Sequence, residues 1–371
     1  MSSFKEFSLI PSLQSTLQKN NFVTPTEIQG RALPALLRGE SVIGVAETGS
    51  GKTLAYALPV LQKIKQLEES GDAVSEAGQP RAVILVPSSG LGEQVAKVLK
   101  TFTHETRLRV RSALGGIKMT VARRNVSSPF EVLLATPGRL EQLMQDRDLN
   151  LSDLRFLVFD EADQILDQGF LPAIKRIVNS CPADRQIALF SATASDAVHT
   201  LIQEMFSEAE LIETKGRHRL VSTLITDNRT VPNGKRFPLL EKLIAEEIEG
   251  GSLLFTNTRE QCDNLAKELK DNGYQCAIYR GDMDKIERRK NLTEFRDGTL
   301  KLFISTDLGA RGLDVENVER VINYHLPNEM KNYLHRAGRT ARAGREGTVV
   351  NFVTDRDLNL ISRLKSISSE A

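Results

Sequence analysis

The chain has 371 residues, more than one ordinary domain needs and enough for two. Hydrophobic residues make up 40% and charged residues 26%, which is typical of a globular protein. The formal net charge of +1 excludes an overall basic field, so any site for a polyanion has to be local. The N-terminal residues lack the pattern of a secretory signal and no apolar stretch reaches the length of a membrane span, so we expect no membrane contact.

Cysteine and histidine usage indicates neither a disulfide framework nor a zinc site. The three cysteines, Cys181, Cys262 and Cys276, show no C-x-x-C spacing, and the five histidines are scattered. Each cysteine is interpreted as a small buried hydrophobic residue. Unpaired cysteines fit a reducing compartment, so we expect a cytoplasmic location.

Short apolar runs alternate with longer helical segments along the whole chain. Continuous apolar runs between helices are typical of central strands in parallel sheets, so the sequence predicts an α/β fold built from βαβ units. Helices are predicted over residues 51–67 and 260–273, among others. Strands are predicted over residues 41–46, 82–87, 131–136, 155–160 and 187–193 in the first half, and over 222–226, 252–258, 276–282, 301–306, 320–324 and 348–354 in the second.

Polar or glycine-rich residues follow most of the predicted strands in both halves. Ligands of open α/β sheets bind outside the carboxyl ends of the strands, so we expect a site along that edge in each half. Ordinary loop polarity is the simpler alternative. Residues 213–219 are polar and basic without periodicity and are interpreted as a linker, and residues 68–80 as a surface loop. The sequence thus predicts an N-terminal domain over 1–212 and a C-terminal domain over 220–371.

The stretch "AETGSGKT", residues 46–53, follows one predicted strand and opens a predicted helix. Gly49 and Gly51 allow a sharp turn in which backbone N–H groups point at phosphate oxygens, and the helix N-terminus favours the same anion. Lys52 offers an ammonium group to the outer phosphates of ATP, and Thr53 offers a hydroxyl to Mg²⁺. The strict pattern has glycine at the first position. The predicted ATP-binding residues of this loop are Ala46, Glu47, Thr48, Gly49, Ser50, Gly51, Lys52 and Thr53.

The stretch "LRFLVFDEAD", residues 154–163, places three carboxylates at the end of an apolar strand. Carboxylates this close repel one another unless a cation lies among them. In P-loop enzymes an Asp at the end of a neighbouring strand helps to hold Mg²⁺, a role that Asp160 can take through water. Glu161 is then placed to act as general base on the attacking water, and Asp163 to orient neighbouring groups. A solvated acidic turn is the alternative, and the buried run before it argues against that alternative.

Together these motifs resemble those of the DEAD-box ATP-dependent RNA helicases, and the resemblance covers nearly the whole chain. The resemblance implies two tandem RecA-like domains, each a mostly parallel sheet flanked by helices, with ATP and Mg²⁺ as cofactors. The segment 4–29 contains "FVTPTEIQ", which resembles the adenine-recognising element of the family. By that resemblance Gln29 would hydrogen-bond the adenine edge, Thr24 would lie close by, and Phe4 would pack on the ring.

The second half supplies cations for the charge that builds on the γ-phosphate during hydrolysis. An arginine finger is worth roughly 10³–10⁵-fold in rate. Arg339 and Arg342 are three residues apart in "HRAGRTARAG", and we expect them on one face of a helix, aimed at one phosphate. The resemblance implies that both reach the γ-phosphate when the domains close, that Asp314 contacts the ribose, and that His335 bridges to the Asp160–Asp163 region.

The resemblance also implies a cycle in which ATP and single-stranded RNA together close the two domains. Closure would bend the RNA and destabilise a duplex locally, and hydrolysis with phosphate release would reopen the cleft. The stretch "SAT" resembles the motif that links hydrolysis to strand separation, through Ser191 and Thr193.

A sequence-nonspecific RNA site contacts phosphates and 2′-hydroxyls rather than base edges. One RNA motif departs from the family pattern Pro-Thr-Arg-Glu-Leu-Ala: this chain has "PSSGLG", with Ser89 for the Arg and Gly90 for the Glu. We therefore expect weaker RNA binding than in a standard member. Smaller departures are Asn21, Arg280 and Ala341, where the family has Gly, His and Gly. The candidate RNA-binding residues are Pro87, Gly115, Gly116, Thr136, Gly138, Arg139 and Thr306.

Three functions fit this sequence to different degrees. The leading hypothesis is an RNA-dependent ATPase that unwinds or remodels RNA locally, acting as a monomer. The second is an ATP-gated RNA clamp or scaffold with weak unwinding, supported only by the altered Ser88–Gly92 segment. The third is a related motor acting on DNA or on protein translocation, and both "TPTEIQ" and Asp163 argue against that class.

Overall fold

In the computed structural model the chain forms two compact units, Met1–Arg217 and His218–Ala371. The structure describes residues 3–47, 49–193, 196–206, 209–214, 224–310, 315, 318–341 and 346–362. The divide between the units falls within the predicted linker 213–219, of which residues 215–219 lie outside the described ranges. No helix in the described ranges is long and apolar enough to cross a membrane.

The described part of the first unit contains one seven-stranded sheet. Its strands are β1 (Val42–Val45), β2 (Ala82–Leu85), β3 (Val110–Ala113), β4 (Val132–Ala135), β5 (Phe156–Phe159), β6 (Gln186–Ser191) and β7 (Glu210–Glu213). The strand order is β3-β4-β2-β5-β6-β1-β7, and every pairing is parallel. The sequence pattern predicts the five inner strands, which are buried apolar runs, and does not predict β3 and β7. Both lie at sheet edges, where charged residues interrupt the apolar pattern.

Helices cover both faces of the first sheet. α1 to α4 pack into a hydrophobic core on one face, and α5 to α9 pack into a second core on the other. A parallel sheet is stable only when both faces are covered in this way. The helices are α1 (Pro11–Lys19), α2 (Glu27–Arg38), α3 (Lys52–Glu69), α4 (Ser89–Thr106), α5 (Met119–Val126), α6 (Pro137–Gln145), α7 (Ala162–Asp167), α8 (Leu171–Asn179) and α9 (Asp196–Met205), with a 3-10 helix at Phe4–Glu6.

The second unit repeats the same architecture with six described strands, again paired in parallel. Its strands are β8 (Leu224–Thr230), β9 (Gly251–Thr256), β10 (Ala277–Tyr279), β11 (Leu302–Thr306), β12 (Val318–Asn323) and β13 (Gly347–Val353), in the order β10-β11-β9-β12-β13-β8. Its helices are α10 (Phe237–Ile244), α11 (Arg259–Asp271), α12 (Lys285–Arg296), α13 (Asp307–Ala310) and α14 (Met330–Ala337), with 3-10 helices at Pro232–Gly234 and Asp355–Asp357. The predicted α/β class is therefore confirmed in both units.

One local prediction in the second unit is wrong. The sequence pattern places Arg339 and Arg342 on one helix face, but α14 ends at Ala337. Gly338 closes the helix, and Ala341 has a φ of 53°, a left-handed conformation through which a right-handed helix does not continue. Arg339 therefore lies in the turn beyond the helix, and Arg342 lies outside the described residues.

Candidate functional site

The strand order of the first unit sorts the predicted site residues into two groups. β5, β6 and β1 are followed by the predicted nucleotide motifs, and β3, β4 and β2 are followed by the predicted RNA-binding residues. The carboxyl ends of parallel strands meet at one edge of a sheet, so each group forms a contiguous part of that edge. The nucleotide half consists of residues 46–53, 160–163 and 191–193, and the RNA half of residues 87–92, 115–119 and 136–139.

The phosphate-binding loop has the backbone that the sequence predicts. Gly49 and Gly51 have φ values of 88° and 89°, which residues other than glycine rarely adopt, and α3 begins at Lys52. Gln29 supports this turn: its amide nitrogen donates to the Gly51 carbonyl at 2.9 Å, and its amide oxygen accepts from Thr26 N at 2.9 Å. A Cβ atom on Gly51 would collide with the Gln29 amide. Thr48 lies outside the described residues.

The ammonium group of Lys52 is buried among acceptors of the loop and of the adjacent strand end. Its Nζ lies 3.1 Å from Glu161 Oε1 and donates to the carbonyls of Ala46 at 2.9 Å and Glu47 at 3.3 Å. Ser50 closes the loop through its Oγ, which donates to the same Glu47 carbonyl at 2.7 Å. The loop therefore brings its lysine to the carboxylates that follow β5.

Glu161 combines burial, an unusual backbone and an incomplete hydrogen-bond set. It is 5% exposed and has a φ of 53°, a left-handed conformation that is costly for a residue with a side chain. Its Oε1 faces Lys52, whereas Oε2 has no hydrogen-bond partner among the described residues. Burial raises the pKa of Glu161 against the opposing effect of Lys52. Buried polar atoms without partners are rare and mark places where a ligand or water is expected.

Asp160 is held by a tyrosine that the sequence analysis does not select. Tyr56 on α3 is fully buried, and its hydroxyl donates to Asp160 Oδ2 at 2.8 Å. Thr53 lies three residues before Tyr56 on the same helix, so α3 carries both the predicted magnesium-holding hydroxyl and the tyrosine that holds Asp160. Burial raises the pKa of Asp160, and Lys52 and the tyrosine hydroxyl oppose that shift. A sequence clue exists, because Tyr56 follows Lys52 by four residues and so shares its face of the helix.

The structure brings Asp163 together with the "SAT" stretch, a contact that the sequence does not predict. Asp163 Oδ2 accepts from Thr193 Oγ1 at 2.8 Å and from Thr193 N at 3.2 Å. Ser191 Oγ accepts from Asp163 N at 3.4 Å and donates to the Thr193 carbonyl at 2.7 Å. The ends of β5 and β6 are therefore connected by side chains directly behind Glu161.

The three residues predicted to contact adenine differ in their exposure. Phe4 is 3% exposed, its ring lies 6.0 Å from that of Phe7, and its backbone N–H donates to Val23 O at 3.1 Å. The Phe4 ring is thus covered by protein atoms in this structure. Thr24 is exposed, and Gln29 is buried against the phosphate-binding loop. Their contacts with adenine stay predictions.

The RNA half is more open than the nucleotide half. Thr136 N donates to Ala113 O at 3.3 Å, which joins the loops that follow β3 and β4. Gly116 is exposed with a φ of 76°, and Gly115 and Gly138 are half-buried, so backbone N–H groups are accessible along this edge. Pro87 comes shortly after β2, which pairs with β4 on the side away from β3, and Pro87 is buried.

Arg139 serves as an internal brace of the RNA half. Its guanidinium donates to the Ile117 carbonyl at 2.6 Å and to Met119 Sδ at 3.3 Å. These contacts fix the loop that follows β3. The cation exposed in that loop is Lys118, which the sequence analysis does not select.

The altered "PSSGLG" segment forms a regular helix start. Ser88 is the N-cap of α4, and its Oγ accepts from Leu91 N at 3.3 Å. Ser89 and Gly90 are half-buried in the first turn, and Gly92 packs against the side chain of Leu114. The substitution of Arg by Ser89 therefore removes a cation without disturbing the fold at this position.

In the second unit, His335 and Arg339 line one pocket together with Asp307 and Arg336. The Thr306 hydroxyl accepts from Gly309 N at 3.2 Å and so caps α13. Asp314 and Arg342 lie outside the described residues. The structure thus groups the two described side chains of "HRAGRTARAG" that the sequence selects.

Arg336, which the sequence analysis passes over, is the centre of a buried network. It is 1% exposed, and all five of its N–H groups are engaged. Two of them donate to the Asp307 carboxylate at 2.6 and 2.8 Å. The others donate to the Asn257 side chain, the Asn323 side chain and the His325 carbonyl, at 2.8, 3.0 and 2.7 Å.

Comparisons with known proteins agree with this geometry. The family model described as DEAD/DEAH box helicase matches residues 26–201, and that described as helicase conserved C-terminal domain matches residues 235–344. The ATP-dependent rRNA helicase RRP3 of Candida glabrata is 34% identical to this chain over 98% of the chain and 73% of its own length. The probable ATP-dependent RNA helicase DDX46 of Homo sapiens is 34% identical over 95% of this chain. The chain spans 34% of the length of that relative.

A solved structure supports the same assignment. Dbp5 of S. cerevisiae, bound to RNA and ADP BeF3, aligns with a TM-score of 0.84 at 30% identity, covering 99% of this chain and 93% of that chain. The tandem RecA-like architecture implied by the resemblance is therefore confirmed. The chain belongs to the DEAD-box helicase family.

Proposed function

We propose that this chain is an RNA-dependent ATPase that uses ATP to unwind or remodel RNA duplexes locally. The observation that carries the proposal is Glu161, a buried carboxylate directly behind a phosphate-binding loop. One of its oxygens faces Lys52, and the other has no hydrogen-bond partner among the described residues. The relatives named as ATP-dependent RNA helicases, and the structural neighbour bound to RNA and ADP BeF3, support RNA and nucleotide as ligands.

The nucleotide half fits ATP with Mg²⁺. Proteins hold Mg²⁺ through one or two side chains and substrate phosphates, and no cluster of three or more His, Cys, Asp or Glu suited to a metal occurs in the described residues. The Thr53 hydroxyl and Asp160, which Tyr56 holds in place, are the side chains that would hold the ion. When bound, Mg²⁺ would neutralise charge on the β- and γ-phosphates.

The proposed chemistry follows from the order of contacts around Lys52. A triphosphate entering the loop would take over the Lys52 ammonium from the carbonyls of Ala46 and Glu47. Glu161 Oε2 would then accept a proton from the attacking water, and its raised pKa suits it to that task. Arg339 is the described candidate for the cation that stabilises the γ-phosphate when the domains close. Arg342 and Asp314 keep their proposed roles by resemblance.

The RNA half offers backbone groups rather than base-reading side chains, so we propose nonspecific contact with the sugar–phosphate backbone. The hydrogen bond between Thr193 and Asp163, which follows Glu161 by two residues, would report the state of the nucleotide to the neighbouring strand end. The RNA clamp with weak unwinding is the second candidate, and the loss of a cation at Ser89 is what favours it. The expected monomeric state and cytoplasmic location stay predictions.

The deciding experiment measures ATP turnover with and without single-stranded RNA, against matched DNA, in the wild type and in Glu161→Gln. We expect stimulation by RNA alone and loss of turnover in the variant. ATP turnover that does not change on addition of RNA would favour the RNA clamp. Equal stimulation of turnover by DNA would contradict a specific dependence on RNA. Unwinding of a short duplex, measured in parallel, separates the ATPase from the clamp.

A further inference from the structure

One segment of the first unit is strongly basic in a chain that is almost neutral. Residues 106–130 contain six Arg or Lys residues and no Asp or Glu, whereas the whole chain has a net charge of +1. The segment comprises β3, the loop after it and α5. A charge imbalance confined to one stretch creates a local field that attracts polyanions.

Two of the six cations are neutralised by contacts within the unit. Arg109 pairs with Glu131, and Arg123 pairs with Asp146 and Asp148. The remaining four, Arg107, Arg111, Lys118 and Arg124, form no ion pair within the described residues.

Three of the unpaired cations share one side of the sheet. Arg111 points to the same side of β3 as Ala113, which packs in one core with Ala122 of α5. Lys118 is the N-cap of α5, and Arg124 lies in its last turn, and both are exposed. These three residues form what we call the α5 surface. The basic last turn of α5 also complements the helix dipole, but that effect does not account for Arg111 or Lys118.

The α5 surface is continuous with the RNA half. Lys118 follows Gly116 by two residues and lies between Ile117 and Met119, the two residues that Arg139 braces. A nucleic acid strand at the Gly115–Gly116 backbone would therefore meet this cation first.

We propose that the α5 surface extends the RNA-binding site, so that Arg111, Lys118 and Arg124 bind phosphates of RNA flanking the segment held at the RNA half. This inference rests on the proposed RNA function. It predicts that binding affinity depends on RNA length, because a strand confined to the RNA half does not reach the α5 surface and a longer strand does. The added cations also offset the one missing at Ser89.

The test compares the charge-removing variant Lys118→Gln/Arg124→Gln with a matched control, Lys97→Gln/Lys100→Gln. The control lysines are exposed on α4, which packs on the opposite face of the sheet. Dissociation constants are measured by fluorescence anisotropy for oligouridylates of about 6 and about 20 nucleotides over a range of salt. Melting temperatures confirm that all variants are folded.

For the long strand we expect the slope of log K against log salt to flatten by about 1.4 in the α5 variant, two phosphate contacts at about 0.7 each. Affinity for the long strand should fall roughly tenfold or more near 0.1 M salt, with little change for the short strand. Equal loss on both strands, or none in the α5 variant, would overturn the extension while leaving the RNA function intact. Failure of the wild type to bind either strand would overturn both.

Discussion

Each unit buries a charged cluster at the carboxyl ends of its strands, and the two clusters differ in how fully their hydrogen bonds are made. The candidate catalytic cluster of the first unit consists of Lys52, Tyr56, Asp160 and Glu161. Within the part of the chain that the structure describes, Glu161 Oε2 has no hydrogen-bond partner, and the Glu161 backbone is left-handed. The arginine cluster of the second unit consists of Arg336, Asp307, Asn257 and Asn323, and every N–H of its arginine donates to an acceptor.

This difference in hydrogen bonding indicates that the arginine cluster stabilises the fold, whereas the cluster around Glu161 serves chemistry. A buried ion whose hydrogen bonds are complete stabilises one arrangement of the chain, and removing it leaves its partners exposed to a large desolvation penalty. A buried carboxylate with an open oxygen and a strained backbone costs stability, and such strain clusters where a ligand or reaction uses it. We therefore expect substitutions in the first cluster to change activity and those in the second to change stability.

The largest expected effect is on activity in Glu161→Gln. Loss of the general base should lower kcat for RNA-stimulated ATP hydrolysis by roughly 10²–10⁴-fold. The free energy of unfolding should change little, because the amide oxygen still accepts from Lys52 and the avoided cost of burying the carboxylate charge offsets the loss of the ion pair. Asp167→Asn, an exposed carboxylate on the same helix, is the control. A large loss of stability in Glu161→Gln would contradict the expected difference between the two clusters.

The largest expected effect on stability is in Arg336→Met. Removing the guanidinium leaves Asp307 and two asparagine side chains without their donor, so the free energy of unfolding should fall by about 3–5 kcal/mol. Denaturant unfolding measures this directly, with the exposed Lys267→Met as control. If the variant unfolded at the wild-type midpoint, the arginine cluster would not be structural.

Tyr56→Phe should have an intermediate effect, confined to the metal. The phenylalanine keeps the packing of α3 but removes the hydrogen bond to Asp160. Loss of such a supporting contact typically costs about 10–100-fold in metal affinity. Binding of a fluorescent ATP analogue should therefore weaken in the presence of Mg²⁺ and change little in EDTA. Equal weakening in both conditions would show that Tyr56 supports the loop rather than the ion.

The missing cation of the RNA half can be restored with Ser89→Arg. Ser89 is half-buried in the first turn of α4, and one new phosphate contact there should steepen the salt dependence of single-stranded RNA binding by about 0.7. Thr101→Arg, far along the same helix, adds the same charge away from the site. Unchanged RNA affinity in Ser89→Arg would refute the predicted weakness of this motif.

Acidification should weaken the arginine cluster by the smallest amount. Burial, with Arg236 and Arg336 nearby, lowers the pKa of His325 from 6.5 to about 4. Between these values the unfolded chain binds the proton and the folded chain does not, so stability falls as pH drops from about 6.5 toward 4. Melting temperatures of His325→Gln should depend less on pH in this window. A slope as steep as that of the wild type would assign the effect to other groups.

The local patterns of this sequence predict most of the fold and much of the candidate site. Continuous apolar runs identify the inner strands because both faces of a parallel sheet are buried. Glycines at positions 49 and 51 predict the phosphate-binding loop because only glycine readily adopts that backbone. The spacing of Asp160, Glu161 and Asp163 predicts their distinct roles, whereas the contact of Asp163 with the "SAT" stretch emerges only from the structure.

Several features of the candidate sites depend on contacts between distant parts of the chain, and only the tertiary structure decided them. Tyr56 and Asp160 are 104 residues apart, and Arg336 and Asn257 are 79 apart, so no local pattern marks them as partners. The edge strands β3 and β7 escape prediction because their pairing, not their composition, makes them strands. The sequence by itself determined which residues could do the chemistry; the fold decided which of them are held, which are left open, and which cation faces the RNA edge, because burial and hydrogen-bond satisfaction are properties of packing.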